Sequence, residues 1–160
     1  MPSHLPEPKE LKDLFEGVLG RDITLAPAAP FAPGPQVPAS VAMYVDDSLR
    51  VTALIACDLR FSAYAGAALG LVPPGGAEAA VEAGGLTETL AENLYEVLNI
   101  AASLFNAPGA EHLRLHELHP AGAPLAPMVR AQALTLGRRE DVSLEIGGYG
   151  KGQLSIVMVA

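Results

Sequence analysis

The sequence predicts an α+β domain in which a mostly antiparallel sheet carries a long central helix and shorter helices packed on it. Three observations lead there. Short runs of strand character are separated by turn-rich stretches, helix-period runs stand at the start and centre of the chain, and the strand runs gather in groups on either side of the central helix. The chain has 160 residues, half of them apolar, which suits one domain with a sizeable core and excludes a disordered chain. A single domain over residues 1–160 is therefore expected, with residues 26–38 as a surface loop.

The first helix is expected over residues 8–19. Leu11, Leu14, Phe15, Val18 and Leu19 recur at three- and four-residue steps with Glu, Lys and Asp between them, and Gly20 stops the run. A brief strand is expected over 22–25. The Ala/Pro-rich residues 26–38 lack backbone donors and read as an extended loop along an edge, outside the sheet. Strands over 40–46 and 49–57 then form a hairpin about the polar turn Asp46-Asp47-Ser48. In the second strand Leu49, Val51, Ala53, Ile55 and Cys57 share one face, while the other begins polar at Arg50 and Thr52 and turns apolar. An Ala-rich helix over 61–69 follows, then a chain break at 72–77, VPPGGA. The central helix is expected over 87–106, with Thr87 as its N-cap and Glu88 and Glu92 near the positive end of its dipole. Four strand-like runs close the chain at 112–118, 128–136, 142–146 and 154–159, the last three joined by turns at 137–141 and 147–152.

Eighteen acidic residues against ten basic ones give a net charge of −8, which repels phosphate backbones and argues against nucleic acid as a partner. The single cysteine can form neither an internal disulfide nor a Cys-based zinc site. The N-terminal MPSHLPEPKELKD has no basic n-region and no apolar h-region, so it is not a signal peptide. The longest uncharged stretch, 23–45, carries five prolines between Pro27 and Pro38, which a membrane helix would not survive. A cytoplasmic protein that does not engage a membrane is expected.

Chemistry concentrates on the central helix. Glu88, Glu92, Glu96, Asn99, Ser103 and Asn106 step by four, four, three, four and three residues, forming one polar stripe about 27 Å long. From Ala77 through Glu111 there is no Lys or Arg. A solvated helix face usually mixes signs through pairs four apart, so this unneutralised stripe suits a cationic partner; the plain alternative is a wet helix face. His112, His116 and His119 would converge as metal ligands on a helix. As a strand, which Leu113, Leu115 and Leu118 favour, His112 and His116 share a face and His119 points away, and no metal is expected. GGYGKG lacks the spacing and trailing Ser/Thr of a phosphate loop and reads as a glycine hairpin. Cys57 reads as a core residue, and Arg138-Arg139 as a charged turn.

Within the stripe, Glu96 and Asn99 stand one turn apart in Glu96-Val-Leu-Asn99. A carboxylate beside a carboxamide can divide two tasks, the first pairing with a cation and the second orienting a water. The motif resembles the Glu-x-x-Asn signature of the CheX/CheC family of chemotaxis phosphatases, closer to the single-motif CheX than to the double-motif CheC. In that family the signature lies on a long surface helix with a proline some twenty residues further on, a place that Pro120 fits here. The order of elements is similar over nearly the whole chain, including a hairpin around an acidic turn at Asp46-Asp47. Three positions depart from the family pattern: Glu92 where Asp or Ser is usual, Ala-Ser-Leu-Phe before Asn106 where a Gly-Asn pair is common, and Ser48 in a turn that usually carries Gly.

The resemblance implies a phosphatase that hydrolyses the aspartyl phosphate of a phosphorylated response-regulator receiver domain. By that analogy Asn99 positions the attacking water, Glu96 binds the receiver's lysine, and Glu92, Ser103 and Asn106 contact the partner. The chain would hold no cofactor of its own, the Mg²⁺ belonging to the receiver. A homodimer is favoured by a small sheet with open edges, and CheX-like proteins resemble that. The alternative is a catalytically silent CheX-like module used for dimerisation or docking in a signalling pathway.

Overall fold

Strand pairing organises the chain. The computed structural model describes residues 2–160. Six strands, β1 (Ile23–Pro27), β2 (Ala39–Val45), β3 (Val51–Asp58), β4 (Arg114–His119), β5 (Arg139–Ile146) and β6 (Gly150–Met158), form one sheet in the order β1-β5-β6-β3-β2-β4. Every neighbouring pair is antiparallel. The helices are α1 (Pro8–Leu19), α2 (Leu59–Leu69), α3 (Pro74–Ala83), α4 (Glu88–Ile100) and α5 (Pro127–Ala133), with a 3₁₀ turn at Ala101–Leu104. This is the α+β architecture that the sequence predicts. No helix among the described residues is long and apolar enough to cross a membrane.

The main core lies on one face of the sheet. Alternate residues of the central strands, such as Ala42, Tyr44, Ile55 and Ile156, pack there against Leu11 and Phe15 of α1, Phe61 of α2, and Leu94 and Leu98 of α4. A smaller core covers the opposite face, where Val41, Met43, Leu54 and Val157 meet Val129 and Ala133 of α5 and the half-buried Phe31. β2 is buried along its whole length because both its faces are covered.

Three expected elements differ. The run at 128–136 is not a strand: Pro127 opens a helix, and the buried residues Val129 and Ala133 are four apart, the spacing of a helix face. The break at 72–77 is confined to its start. Pro74 occupies the first turn of α3, a place where its missing N–H costs nothing, and Ala77 and Ala80 are the buried residues of that helix. The central helix is α-helical only to Ile100 and then tightens into the 3₁₀ turn, so the stripe of 87–106 is not one straight row.

Smaller shifts sit at element ends. α2 begins at Leu59, because the Asp58 carboxylate accepts from the Phe61 N–H at 2.8 Å and caps it. Residues 139–141 belong to β5, where Arg139 faces Val157 and Asp141 faces Ser155. Pro27 closes β1 on an edge of the sheet, a place a proline tolerates. The hairpin turn at 46–48 forms as expected. The Asp46 carboxylate accepts from the backbone N–H groups of Ser48 and Arg50, both at 2.9 Å, and Leu49 takes a positive φ of 64°, so Leu49 stays exposed in the turn and the second strand begins at Val51 instead of at 49.

Candidate functional site

α4 is held at three points along its inner side, and the motif stands on what is left. At its start Thr87 Oγ1 accepts from the Leu90 N–H at 3.2 Å. Just before it, the Leu86 N–H donates to the Ala121 carbonyl at 3.1 Å, and the Ala121 N–H donates to Ser40 Oγ at 3.0 Å. The segment after Pro120 therefore ties the helix entry to β2. At mid-helix Asn93 Nδ2 donates to the Gly66 carbonyl of α2 at 3.0 Å. A Cβ on Gly66 would sit 2.7 Å from the Leu90 carbonyl oxygen, so the close crossing of α2 and α4 depends on that glycine. Towards the C-terminal end the buried Tyr44 hydroxyl donates to the Leu98 carbonyl at 2.5 Å.

With Leu90, Leu94, Val97 and Leu98 buried, the opposite side of α4 presents Glu88, Glu92, Glu96 and Asn99 to solvent. Ser103 is exposed on the 3₁₀ turn that follows. Glu96 and Asn99 are helix neighbours, about 5–6 Å apart at Cβ for this spacing. Neither side chain hydrogen-bonds or ion-pairs with another described residue, and none of the six ion pairs involves a glutamate of α3 or α4. Asn106 is exposed but differently placed. Its amide brackets the Leu113 backbone, accepting from the N–H at 2.8 Å and donating to the carbonyl at 3.1 Å, and so fixes the approach to β4.

The three histidines do not meet at one point. His112 precedes β4 and is exposed, and His116 is the extra residue of a bulge between the Tyr44–Leu115 and Met43–Glu117 pairs. His119 is half-buried, with Nε2 3.6 Å from Glu117 Oε1. No group of three His, Cys, Asp or Glu side chains suited to a metal occurs among the described residues. Cys57 is buried in the core, where burial first and the neighbouring Asp58 charge second push its thiol well above the ordinary value. Arg139 is no surface turn residue. Its guanidinium pairs with Asp141 at 2.8 Å and donates to the Ala133 and Thr135 carbonyls at the end of α5.

Two residues of the α4 face are not part of the polar stripe. Tyr95 and Ile100 remain 44% and 43% exposed beside Glu96 and Asn99. The sequence held their signal, since both are large apolar side chains at helix positions outside the buried row.

The chemistry of this surface follows from its shape. The motif stands on a convex helix face, and four concave spaces lie elsewhere; one of about 450 Å³ is lined by residues such as Gly34, Pro38, Leu125 and Arg130. A protruding carboxylate and carboxamide cannot enclose a small molecule. They can enter a recess on a macromolecule, where the amide supplies a donor and an acceptor and the carboxylate a charge.

No family model matches the sequence, and no curated protein matches it. Among solved structures the chain is similar to the middle domain of FliM from Vibrio alginolyticus, with a TM-score of 0.58 at 14% identity, covering 95% of this chain and 88% of that one. It is also similar to FliY from Thermotoga maritima, with a TM-score of 0.55 at 16% identity, covering 93% and 82%. A CheX–CheY–BeF₃–Mg²⁺ complex from Borrelia burgdorferi aligns at a TM-score of 0.48 and 11% identity, covering 92% of each chain, too loose a likeness to carry weight. The class defined at this point is a fold: that of the FliM middle domain and FliY.

Proposed function

We propose that this chain is a CheX-like phosphatase for the aspartyl phosphate of a response-regulator receiver domain, acting in the cytoplasm in chemotaxis or another two-component circuit. The observation that supports this reading most is the pairing of Glu96 and Asn99: exposed, one turn apart and without partners among the described residues, on a helix stripe that lacks any cation. In the proposed complex the helix enters the receiver's active-site recess. The Asn99 carboxamide orients a water in line with phosphorus, and Glu96 pairs with a receiver lysine. Phosphoryl transfer depends chiefly on alignment and charge stabilisation, so two well-placed side chains suffice and no nucleophile on this chain is needed. The Mg²⁺ stays with the receiver.

A second reading keeps the fold and drops the chemistry: a docking module for a signalling partner. The likeness to FliM middle domains favours it, one of them solved as a FliG–FliM complex from Helicobacter pylori with a TM-score of 0.53. The homodimer also belongs to the proposal, with the open edge strands β1 and β4 as the surfaces for it.

The test is phosphate release from a panel of Mg²⁺-loaded, phosphorylated receiver domains, with Asn99→Ala and Glu96→Ala beside wild type. Acceleration by wild type that Asn99→Ala lowers by 10²-fold or more, the order expected for losing a water-positioning group, supports catalysis at this site. Binding without acceleration supports the docking module. Acceleration that survives Asn99→Ala moves the activity away from this motif.

A further inference from the structure

Tyr95 and Ile100 bracket the motif. Along α4 the order is Tyr95, Glu96, Asn99, Ile100, so the two polar residues stand between two large apolar ones, about 7.5 Å apart along the axis. At about 100° per residue, Tyr95 lies about 100° to one side of Glu96 and Ile100 about 40° to the other. Both are more than two-fifths exposed, and the Tyr95 hydroxyl has no hydrogen-bond partner among the described residues. One exposed apolar side chain needs no explanation, but two that frame the only Glu-x-x-Asn pair of the central helix give that pair an apolar border on each flank. Around them Glu88, Glu92 and Glu96 are exposed, and no Lys or Arg occurs from Ala77 through Glu111.

We infer that Tyr95 and Ile100 are the apolar anchors by which α4 docks its partner, a receiver domain whose contact surface carries exposed apolar side chains ringed by Lys or Arg. This rests on the receiver-directed reading above and deepens it. Interface energy concentrates in a few aromatic and aliphatic anchors, while charges at the rim govern encounter and specificity. Tyr95 suits an anchor because its ring buries a large area at a low entropic cost and its hydroxyl is free to bond across the contact. A second copy of this chain suits the face poorly. A self-complementary contact would set these glutamates against their own images, with no local cation to answer them.

Binding is measured to a panel of Mg²⁺-loaded receiver domains activated with beryllofluoride, and phosphate release is measured on their phosphorylated forms. Tyr95→Ala and Ile100→Ala are each expected to weaken binding about tenfold, the ordinary effect of losing an interface anchor. In turnover the loss falls on KM and not on kcat. Met128→Ala and Leu136→Ala remove exposed side chains on and just after α5, across the sheet from α4, 73% and 80% exposed, and leave binding within about twofold, as surface positions outside an interface do. All four variants keep the wild-type melting temperature, because exposed side chains are removed. Unchanged binding by both anchor variants, with Asn99→Ala inactive, overturns the anchors and leaves the phosphatase. Weakened binding with no hydrolysis at all keeps the anchors and ends the phosphatase. If Tyr95→Ala alters the self-association of this chain in sedimentation and not receiver binding, the occupant is a second copy and the inference fails. If wild type binds no receiver in the panel, both fall.

Discussion

Asn99 and Asn106 carry the same carboxamide and do different work. Asn99 points a free amide into solvent, whereas Asn106 spends its amide on both backbone groups of Leu113. Asn99→Ala is therefore expected to leave the melting temperature unchanged and to act on phosphate release alone. Asn106→Ala is expected to cost about 1–2 kcal/mol in urea unfolding, because it removes two hydrogen bonds and leaves the Leu113 N–H without its partner. A partner-binding defect without that loss of stability would support the place in the interface that its spacing predicts. Spacing along the sequence puts both asparagines in one stripe. The difference arises because the chain leaves the α-helix at Ile100 and tightens, after which a three- or four-residue step no longer keeps a residue on the same line.

Two contacts bear on where α4 and α5 lie. Gly66→Ala places a methyl group 2.7 Å from the Leu90 carbonyl oxygen and must push α4 away from α2. A loss of about 1–3 kcal/mol is expected in denaturant unfolding, the usual cost of overpacking, together with weaker phosphate release because the motif helix moves. α5 is fastened through its C-terminal carbonyls by Arg139, which Asp141 holds in place while Ser155 Oγ donates to the same carboxylate. Burial alone would raise the Asp141 carboxyl, but the hydrogen bonds from Arg139 and Ser155 and the Arg139 charge outweigh it and hold it below its ordinary 3.8. A carboxylate depressed in the folded state contributes stability above that ordinary value and loses it as pH falls through the folded one. Glu140 works the other way. Burial first and the Asp141 charge second raise it above its ordinary 4.5, so its protonation on acidification relieves a cost. Thermal unfolding across pH 2–6 is thus expected to show a loss of stability at the acid end that Asp141→Asn flattens, while Asp141→Asn itself costs about 3 kcal/mol near neutral pH. Equal acid sensitivity in both proteins would place the titrating group elsewhere.

At the scale of the molecule, the charge is unevenly spread. Lys9, Lys12, Arg50 and Arg139 pair with carboxylates within 3.7 Å, while the glutamates of α3 and α4 have no ion-pair partner among the described residues. Residues 77–111 carry six acidic residues and no Lys or Arg, and three of the six stand on α4 with the motif. Raising ionic strength is expected to slow association with a receiver far more than dissociation, as stopped-flow binding would show; salt-independent association would remove electrostatic steering from the mechanism. Much of this molecule is local in origin and was legible as such. The period of Leu11, Phe15 and Leu19, the Asp46 turn, the Thr87 cap and the Glu96–Asn99 spacing each arise from neighbours in the chain, so the sequence by itself determined α1, the β2–β3 hairpin, the start of α4 and its candidate motif. What depends on contacts distant in sequence was decided only by the tertiary structure. Residues 128–136 fit a strand or a helix equally until Val129 and Ala133 find the second face of the sheet. Asn106 braces the approach to β4 because Leu113 comes back to meet it, the Arg139 side chain is covered because α5 ends above it, and Tyr95 and Ile100 stay in solvent because the sheet and α2 cover only the other side of their helix. A hydrophobic pattern specifies which residues prefer burial, and only the completed packing decides which of them are covered.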